Sequence, residues 1–293
     1  MPPITILDRS AVLLLGVCAG AAIGLSFAGH ASSSSAAVKG ASCTPVARDL
    51  APEVTAARLC AGPAQRQLLA TIKKGAPVKV AVFGDSYGDG VWSGLQRQLP
   101  RDQFDVVKYS APATGFTRYK RLNLEDQASD QLGDQTIDIA VISFGANDAQ
   151  GINTADGRHA PFLGDLWKQE IGARLARFVG LLRKHHAMVY WVGLPRMREA
   201  QTDSDIGAVN DFYASQMARL EVPFVDTRPI VSDKKGNYAP YLPDPKTGQP
   251  VLMREGDGIH MSMTGYLWLT KGLVARIRNY VDATRAMTAD PAK

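Results

Sequence analysis

The sequence predicts an α/β fold, a three-layer α/β/α sandwich with a central, mostly parallel five-stranded sheet, and three observations predict it. Beyond Lys74, short β-branched runs alternate with longer segments of helical period, the order that builds a parallel sheet from strand–helix–strand units. Runs such as Ile139-Ala140-Val141-Ile142 are apolar without alternation, which implies a strand buried on both faces and helices covering the sheet front and back. The 293 residues are 45% hydrophobic and 21% charged, an ordinary globular composition that can bury one large core and does not require a second.

The first 31 residues stand apart from that body. No charged side chain occurs from Ser10 to Gly29, and Arg9 precedes the apolar run that opens at Ala11-Val12-Leu13-Leu14-Leu15, so the segment reads as an export signal. It is also long enough to span a bilayer, and a cleaved signal peptide over residues 1–31 and a membrane anchor through residues 11–29 both fit. Gly29-His30-Ala31 offers small residues where a signal peptidase cuts, whereas Leu15-Gly16-Val17-Cys18 departs from a lipoprotein box at Val17. Arg9 and the amino terminus favour an outward orientation for the rest, so the body is expected outside the cytoplasm, periplasmic or secreted, or tethered to the inner membrane. Residues 32–74 read as a Ser/Ala-rich linker and N-terminal extension, ordered from about Pro45 onward. Cys43 and Cys60 either pair as a disulfide in an oxidising compartment or stay as free thiols.

Residues 75–285 form the domain proper, followed by a tail over residues 286–293. The β-branched runs place strands at Val78–Phe83, Asp105–Tyr109, Ile139–Phe144, Met188–Val192 and Val222–Val225. Apolar residues at three and four spacing place helices at Val91–Leu99, Leu166–Lys184 and Ala208–Leu220, with a last helix from about Thr264 to Val281. In an open parallel sheet, ligands bind where loops leave the carboxyl ends of the strands, so the chemistry is to be sought in those loops.

The first strand ends in Gly84-Asp85-Ser86-Tyr87-Gly88-Asp89-Gly90, a glycine-rich turn that sets one hydroxyl just before a helix. Ser86 there is either a helix cap or a nucleophile helped by the helix N-terminus; the Lys-Ser or Lys-Thr pair of a phosphate-binding P-loop is missing. The third strand ends in Phe144-Gly145-Ala146-Asn147-Asp148, where Asn147 is either a turn residue or an amide donor to the same crevice. Gly115, in the loop after the second strand, offers a backbone N–H. Near the C-terminus, Asp257 lies three residues before His260, close enough to orient an imidazole that accepts a serine proton. His30 falls in the signal region, His159 in a polar loop, and His185 and His186 at a basic helix end.

Taken together, Gly84-Asp85-Ser86, Gly115, Gly145 with Asn147, and Asp257 with His260 occur in the order and spacing of the SGNH (GDSL-type) hydrolases, which the body resembles from about Val78 to Val281. The segments Trp191-Val192-Gly193-Leu194-Pro195 and Asp257-Gly258-Ile259-His260-Met261 are similar to a bacterial branch of exported or membrane-tethered members. The resemblance implies the flavodoxin-like fold of that family and acyl transfer through a Ser86–His260–Asp257 triad. It further implies an oxyanion hole made by the N–H groups of Ser86 and Gly115 and the amide of Asn147, with Gly84, Asp85, Gly145 and Asp148 as supporting loop residues. Tyr87 departs from the leucine that the family commonly has after the serine, which is expected to alter the pocket wall.

Asp85 and Asp148 could be mistaken for the carboxylate pair of a glycosidase, but each adjoins a motif glycine or amide and is expected to bond loop backbone. Arg196, Arg198 and Arg254 are expected to line the entrance or sit in solvent. No cofactor and no metal site is expected, because His260 is committed and the other His and Cys residues lack ligand spacing. The formal charge of +5, from 33 basic against 28 acidic side chains, is scattered and comes with no reading motif, which argues against a nucleic-acid partner. The expected function is an extracytoplasmic serine esterase acting on an acylated carbohydrate or other small ester. An O-acyltransferase using the same triad is the alternative, and a noncatalytic glycan-binding protein a more distant one.

Overall fold

The structure is a computed structural model and describes residues 62–287. The segment read as an export signal or anchor, residues 1–31, and the Cys43–Cys60 question lie outside the described residues. Helix α1 (Pro63–Lys73) leads into strand β1 (Val78–Gly84), helix α2 (Ser86–Gln98), strand β2 (Phe104–Lys108) and helix α3 (Leu124–Leu132). Strand β3 (Ile139–Ser143) is followed by a small hairpin, β4 (Ile152–Asn153) with β5 (His159–Ala160), and by helix α4 (Asp165–Lys184). Strand β6 (Met188–Val192), helix α5 (Ala200–Arg219) and strand β7 (Phe224–Val225) complete the sheet. A second hairpin, β8 (Tyr241–Pro243) with β9 (Pro250–Leu252), precedes the last helix, α6 (Met263–Ala286).

The central sheet has five strands in the order β2-β1-β3-β6-β7, every neighbouring pair parallel. Numbered within the sheet this is the 2-1-3-4-5 order of flavodoxin-like folds, whose topological switch lies between β1 and β3. Alternate residues of β1 serve the two faces. Val78, Val80 and Val82 pack with Val91 and Leu95 of α2 and with Leu269, Leu273 and Ile277 of α6, and Leu68 of α1 joins them. Ala81 and Phe83 pack on the opposite face with Leu124 of α3, Ile171, Leu175 and Phe178 of α4, and Val209 and Tyr213 of α5. The chain is therefore a three-layer α/β/α sandwich, as the buried apolar strands imply. Phe178 alone meets Phe83, Phe116 and Phe144 edge to face, and a side chain of that size contributes about 1.5–3 kcal/mol by burial.

Several elements differ from the sequence expectation. Helix α2 begins at Ser86 rather than Val91, so Ser86-Tyr87-Gly88-Asp89-Gly90 is a first helical turn and not a loop. Glycine is a poor helix former, but here close packing requires it. A Cβ on Gly90 would fall 1.9 Å from the Tyr266 ring, and one on Gly94 would fall 2.6 Å from Thr270 Oγ1, both on α6. Helix α5 starts at Ala200 rather than Ala208, because Glu199 caps it by accepting from the N–H groups of Gln201 and Thr202. Helix α1, with Pro63 in its first turn, lies inside the stretch read as linker and extension. Its Thr71 hydroxyl donates to Asp138 Oδ1 at 2.7 Å, which ties it to the start of β3. Helix α3 and the two hairpins had no counterpart in the sequence reading. Among the described residues no helix is long and apolar enough to cross a membrane.

Candidate active site

The turn from β1 into α2 admits no side chain at Gly84, where a Cβ would lie 2.3 Å from Ser143 O and 2.6 Å from Gly88 Cα. Asp85 is the N-cap of α2: its carboxylate accepts from Tyr87 N–H at 2.8 Å. Ser86 thus occupies the first helical position, half-buried, at the positive end of the helix dipole. Its role is separate from that of the cap.

The second half of the site comes from the loop between β9 and α6. Asp257 Oδ1 accepts from the backbone N–H groups of Ile259 at 2.8 Å and His260 at 2.9 Å, which curls the loop around the carboxylate. Asp257 Oδ2 lies 2.6 Å from His260 Nδ1, and His260 Nε2 lies 2.8 Å from Ser86 Oγ, 174 residues away in sequence. A carboxylate at Nδ1 calls for a proton there, which leaves Nε2 as the acceptor for the serine hydroxyl. Partial burial raises the Asp257 carboxyl, but the His260 ring and the two backbone donors outweigh it and hold the group down at about 2. The side chains of His260 and Asp257 remain 37% and 44% exposed, so solvent reaches this edge directly.

Two further loops meet beside Asp85, the residue before Ser86. A Cβ on Gly115 would lie 2.5 Å from Asp148 Oδ1, so only glycine lets the loop after β2 approach the loop after β3 this closely. Asn147 spans the loops: its Nδ2 donates to Thr114 O at 2.9 Å and, more weakly, to Asp85 Oδ2 at 3.4 Å. The amide is therefore committed to the loops in this arrangement and would have to turn from Thr114 to meet an oxyanion. Alanine at 147 removes both ties and the donor. Its kcat on a simple ester is expected to fall by about 10²–10³-fold, as loss of one oxyanion donor does; an unchanged kcat in steady-state assays would remove Asn147 from the reaction.

Asp85 and Asp148 are fully buried beneath these loops. Asp85 Oδ2 accepts from Gly145 N–H at 3.3 Å, and Gly145 itself has φ +140°, a conformation that favours glycine. Asp148 accepts from Thr117 N–H at 2.8 Å, Thr117 Oγ1 at 2.9 Å and the Tyr213 hydroxyl at 2.6 Å. Both carboxylates are thus acceptors for donors of the surrounding loops and helices, buried away from solvent, and do not form an accessible glycosidase pair.

Burial pushes the Asp85 carboxyl up to about 7; the Asp148 charge adds to this, and the donors at Tyr87, Gly145 and Ala146 oppose it. The folded value lies above the ordinary 3.8, so the folded state binds the extra proton. Its contribution to stability is complete below about pH 4 and is lost as pH rises toward about 7, at most about 4 kcal/mol. Asp257, held low, acts in the opposite sense below about pH 4. Thermal midpoints measured in steps across the acid range are expected to rise up to about pH 4 and then decline toward about pH 7. Asp138 and Asp148, also raised by burial, act in the same sense, and a continued rise through that upper window would contradict the raised carboxyls of all three.

Of the three arginines only Arg254 departs from expectation; Arg198 is exposed and Arg196 half-buried. Arg196 pairs with Asp203 at 3.1 Å and donates to Gly236 O. Arg254 is only 2% exposed and does not line an entrance; Arg198 lies on the loop of Asp257 and His260. Tyr87, expected only to reshape the pocket wall, is fully buried and stacks on the His260 ring at 5.8 Å between centroids and 23° between planes. The signal for it was the departure from leucine at that position. Among the described residues no group of three or more His, Cys, Asp and Glu side chains could hold a metal ion.

Residues 79–276 match the model of the family described as "Protein of unknown function (DUF459)". No curated protein matches the sequence. Solved structures similar to the chain include Est24, a carbohydrate acetylesterase from Sinorhizobium meliloti. It is 14% identical, with 69% of this chain and 98% of that one covered and a TM-score of 0.48. The aryl esterase of M. smegmatis is 16% identical, with 69% and 99% covered and a TM-score of 0.47. A GDSL-like lipase from Bacteroides thetaiotaomicron is 15% identical, with 75% and 98% covered and a TM-score of 0.47.

Proposed function

The chain belongs to the DUF459 family, and from that premise we propose that it is an extracytoplasmic serine esterase that removes acetyl or other short acyl groups, its substrate an acylated cell-envelope or exported polysaccharide. The observation that carries the reading is the unbroken series Ser86 Oγ, His260 Nε2, His260 Nδ1 and Asp257 Oδ2, with steps of 2.8 and 2.6 Å between residues. Ser86 Oγ attacks the ester carbonyl carbon while its proton passes to His260 Nε2, and Asp257 balances the imidazolium. The N–H groups of Ser86 and Gly115 and the re-aimed Asn147 amide take the oxyanion. Collapse expels the alcohol, which receives the proton from His260. Water then attacks the acyl-serine with His260 as base, releasing the acid and restoring Ser86.

Two features favour an acyl group on a large, solvated carrier. The exposed His260–Asp257 pair lets a polymer chain lie across the sheet edge without a domain opening, and the charge-free run from Ser10 to Gly29 points to export. The same exposure admits a sugar hydroxyl in place of water, which would make the chain an O-acyltransferase. The test is release of acetate from acetylated polysaccharide by the full chain, with and without an unacetylated glycan acceptor. Acetate released in a Ser86-dependent manner supports the esterase. Acyl transfer to the added glycan that outpaces release supports the transferase, and neither product sinks both readings.

A further inference from the structure

Four successive carbonyl groups of the loop that carries His260 are each held from outside. Arg198 Nη1 donates to Gly256 O and Nη2 to Asp257 O, both at 2.9 Å, and the Arg198 backbone N–H donates to Gly258 O at 3.0 Å. Ile259 O accepts from Arg254 Nη2 at 2.7 Å and from the Tyr87 hydroxyl. The donors come from three places in the fold. Arg198 lies in the loop after β6, Tyr87 in the first turn of α2 beside Ser86, and Arg254 in the bridge with Met261 that flanks the loop.

Packing repeats the pattern. Gly258 has φ +76°, and a Cβ there would lie 2.6 Å from Arg198 Cβ and Nε, so the arginine lies flat against the glycine. The Tyr87 ring covers one face of His260. Arg254 is the least economical member: buried, over the Tyr238 ring at 4.8 Å, it has no carboxylate partner among the described residues, and its Nε and Nη1 meet no acceptor. Burying a guanidinium this way opposes stability, and such a group calls for a reason other than packing.

The bonds within the loop set His260 against Asp257; they do not set the pair against Ser86. We propose that Arg198, Arg254 and Tyr87 are positioning residues of the acyl transfer assigned above, fixing the base loop so that His260 Nε2 stays within hydrogen-bond reach of Ser86. The inference rests on that reading of the site. A displacement of about 1 Å in such a group costs on the order of a hundredfold in rate, and the loop lies in neither a helix nor a strand that would restrain it.

The experiment compares the full chain with Arg198→Ala, Arg198→Lys, Tyr87→Phe and Arg254→Met. It reads kcat and KM on p-nitrophenyl acetate, thermal midpoint, and amide hydrogen exchange at residues 256–260. Arg198→Ala and Tyr87→Phe are expected to lower kcat about tenfold to hundredfold with KM within about twofold. Exchange at the Ile259 and His260 amides should quicken while the rest of the chain keeps its protection. Arg198→Lys, which supplies a single ammonium in place of the two-pronged guanidinium, should fall between wild type and Arg198→Ala. A folded Arg198→Ala and a folded Tyr87→Phe with wild-type kcat would overturn the proposal, as would a kcat loss accompanied by faster exchange throughout. If the wild type shows no Ser86-dependent hydrolysis, the esterase reading fails separately; unchanged exchange at Ile259 and His260 then overturns the clamp, and faster exchange supports it.

Discussion

Replacement of Ser86 by alanine is expected to lower ester hydrolysis by about 10³- to 10⁶-fold, the range seen when a triad nucleophile is removed. Ser86 Oγ is the atom bonded to the accepting nitrogen of His260, and alanine leaves no group there to form an acyl intermediate. The fold should be spared, because the cap of α2 is Asp85. Had Ser86 been the cap, its loss would cost about 0.5–2 kcal/mol; as a half-buried first-turn residue it should cost within about 0.5 kcal/mol. Activity and thermal midpoint measured on the same preparation separate the two roles. A marked fall in midpoint with activity retained would return Ser86 to the status of a cap.

Asparagine at 257 is expected to cost about 10⁴-fold in kcat through the tautomer of His260. Asp257 Oδ1 already serves two backbone donors, and Oδ2 faces Nδ1. An asparagine keeps the oxygen on the backbone and turns its NH₂ toward Nδ1, so the ring must accept there and carry its proton on Nε2. That proton then points at Ser86, and the base is lost with the loop shape intact. The measurement is kcat for Asp257→Asn beside Asp257→Ala, with exchange at Ile259 and His260. A small rate loss in Asp257→Asn with unchanged exchange would contradict a His260 ring that carries its proton on Nδ1.

Much of the sheet, and the three side chains that meet as Ser86, His260 and Asp257, were legible in the sequence for a physical reason. Strands buried on both faces are continuous apolar runs, as at Ile139–Ser143, and Ser86 in its glycine-rich turn and Asp257 three residues before His260 stand out by local spacing alone. What escaped depends on contacts between distant residues. Gly88 and Gly90 read as a turn because their helical state is set by Ser110, Phe83 and Tyr266, not by local preference. Helix α5 was shortened because its first turns are polar and its start depends on one capping carboxylate at Glu199. Arg254 carries a charge, and nothing local says that it is buried against the Tyr238 ring. The double commitment of the Asn147 amide to Thr114 and Asp85 likewise appears only once three loops are brought together.

Ser86 is expected to become covalently acylated with His260 as its base. An organophosphonate ester, which phosphonylates an activated serine, tests it directly when the labelled chain is digested and its peptides weighed. The adduct is predicted on the peptide containing Ser86, with labelling slowed by orders of magnitude in His260→Ala. An adduct on another residue, or labelling of Ser86 at the same rate without His260, would contradict an acyl-serine at Ser86 with His260 as base.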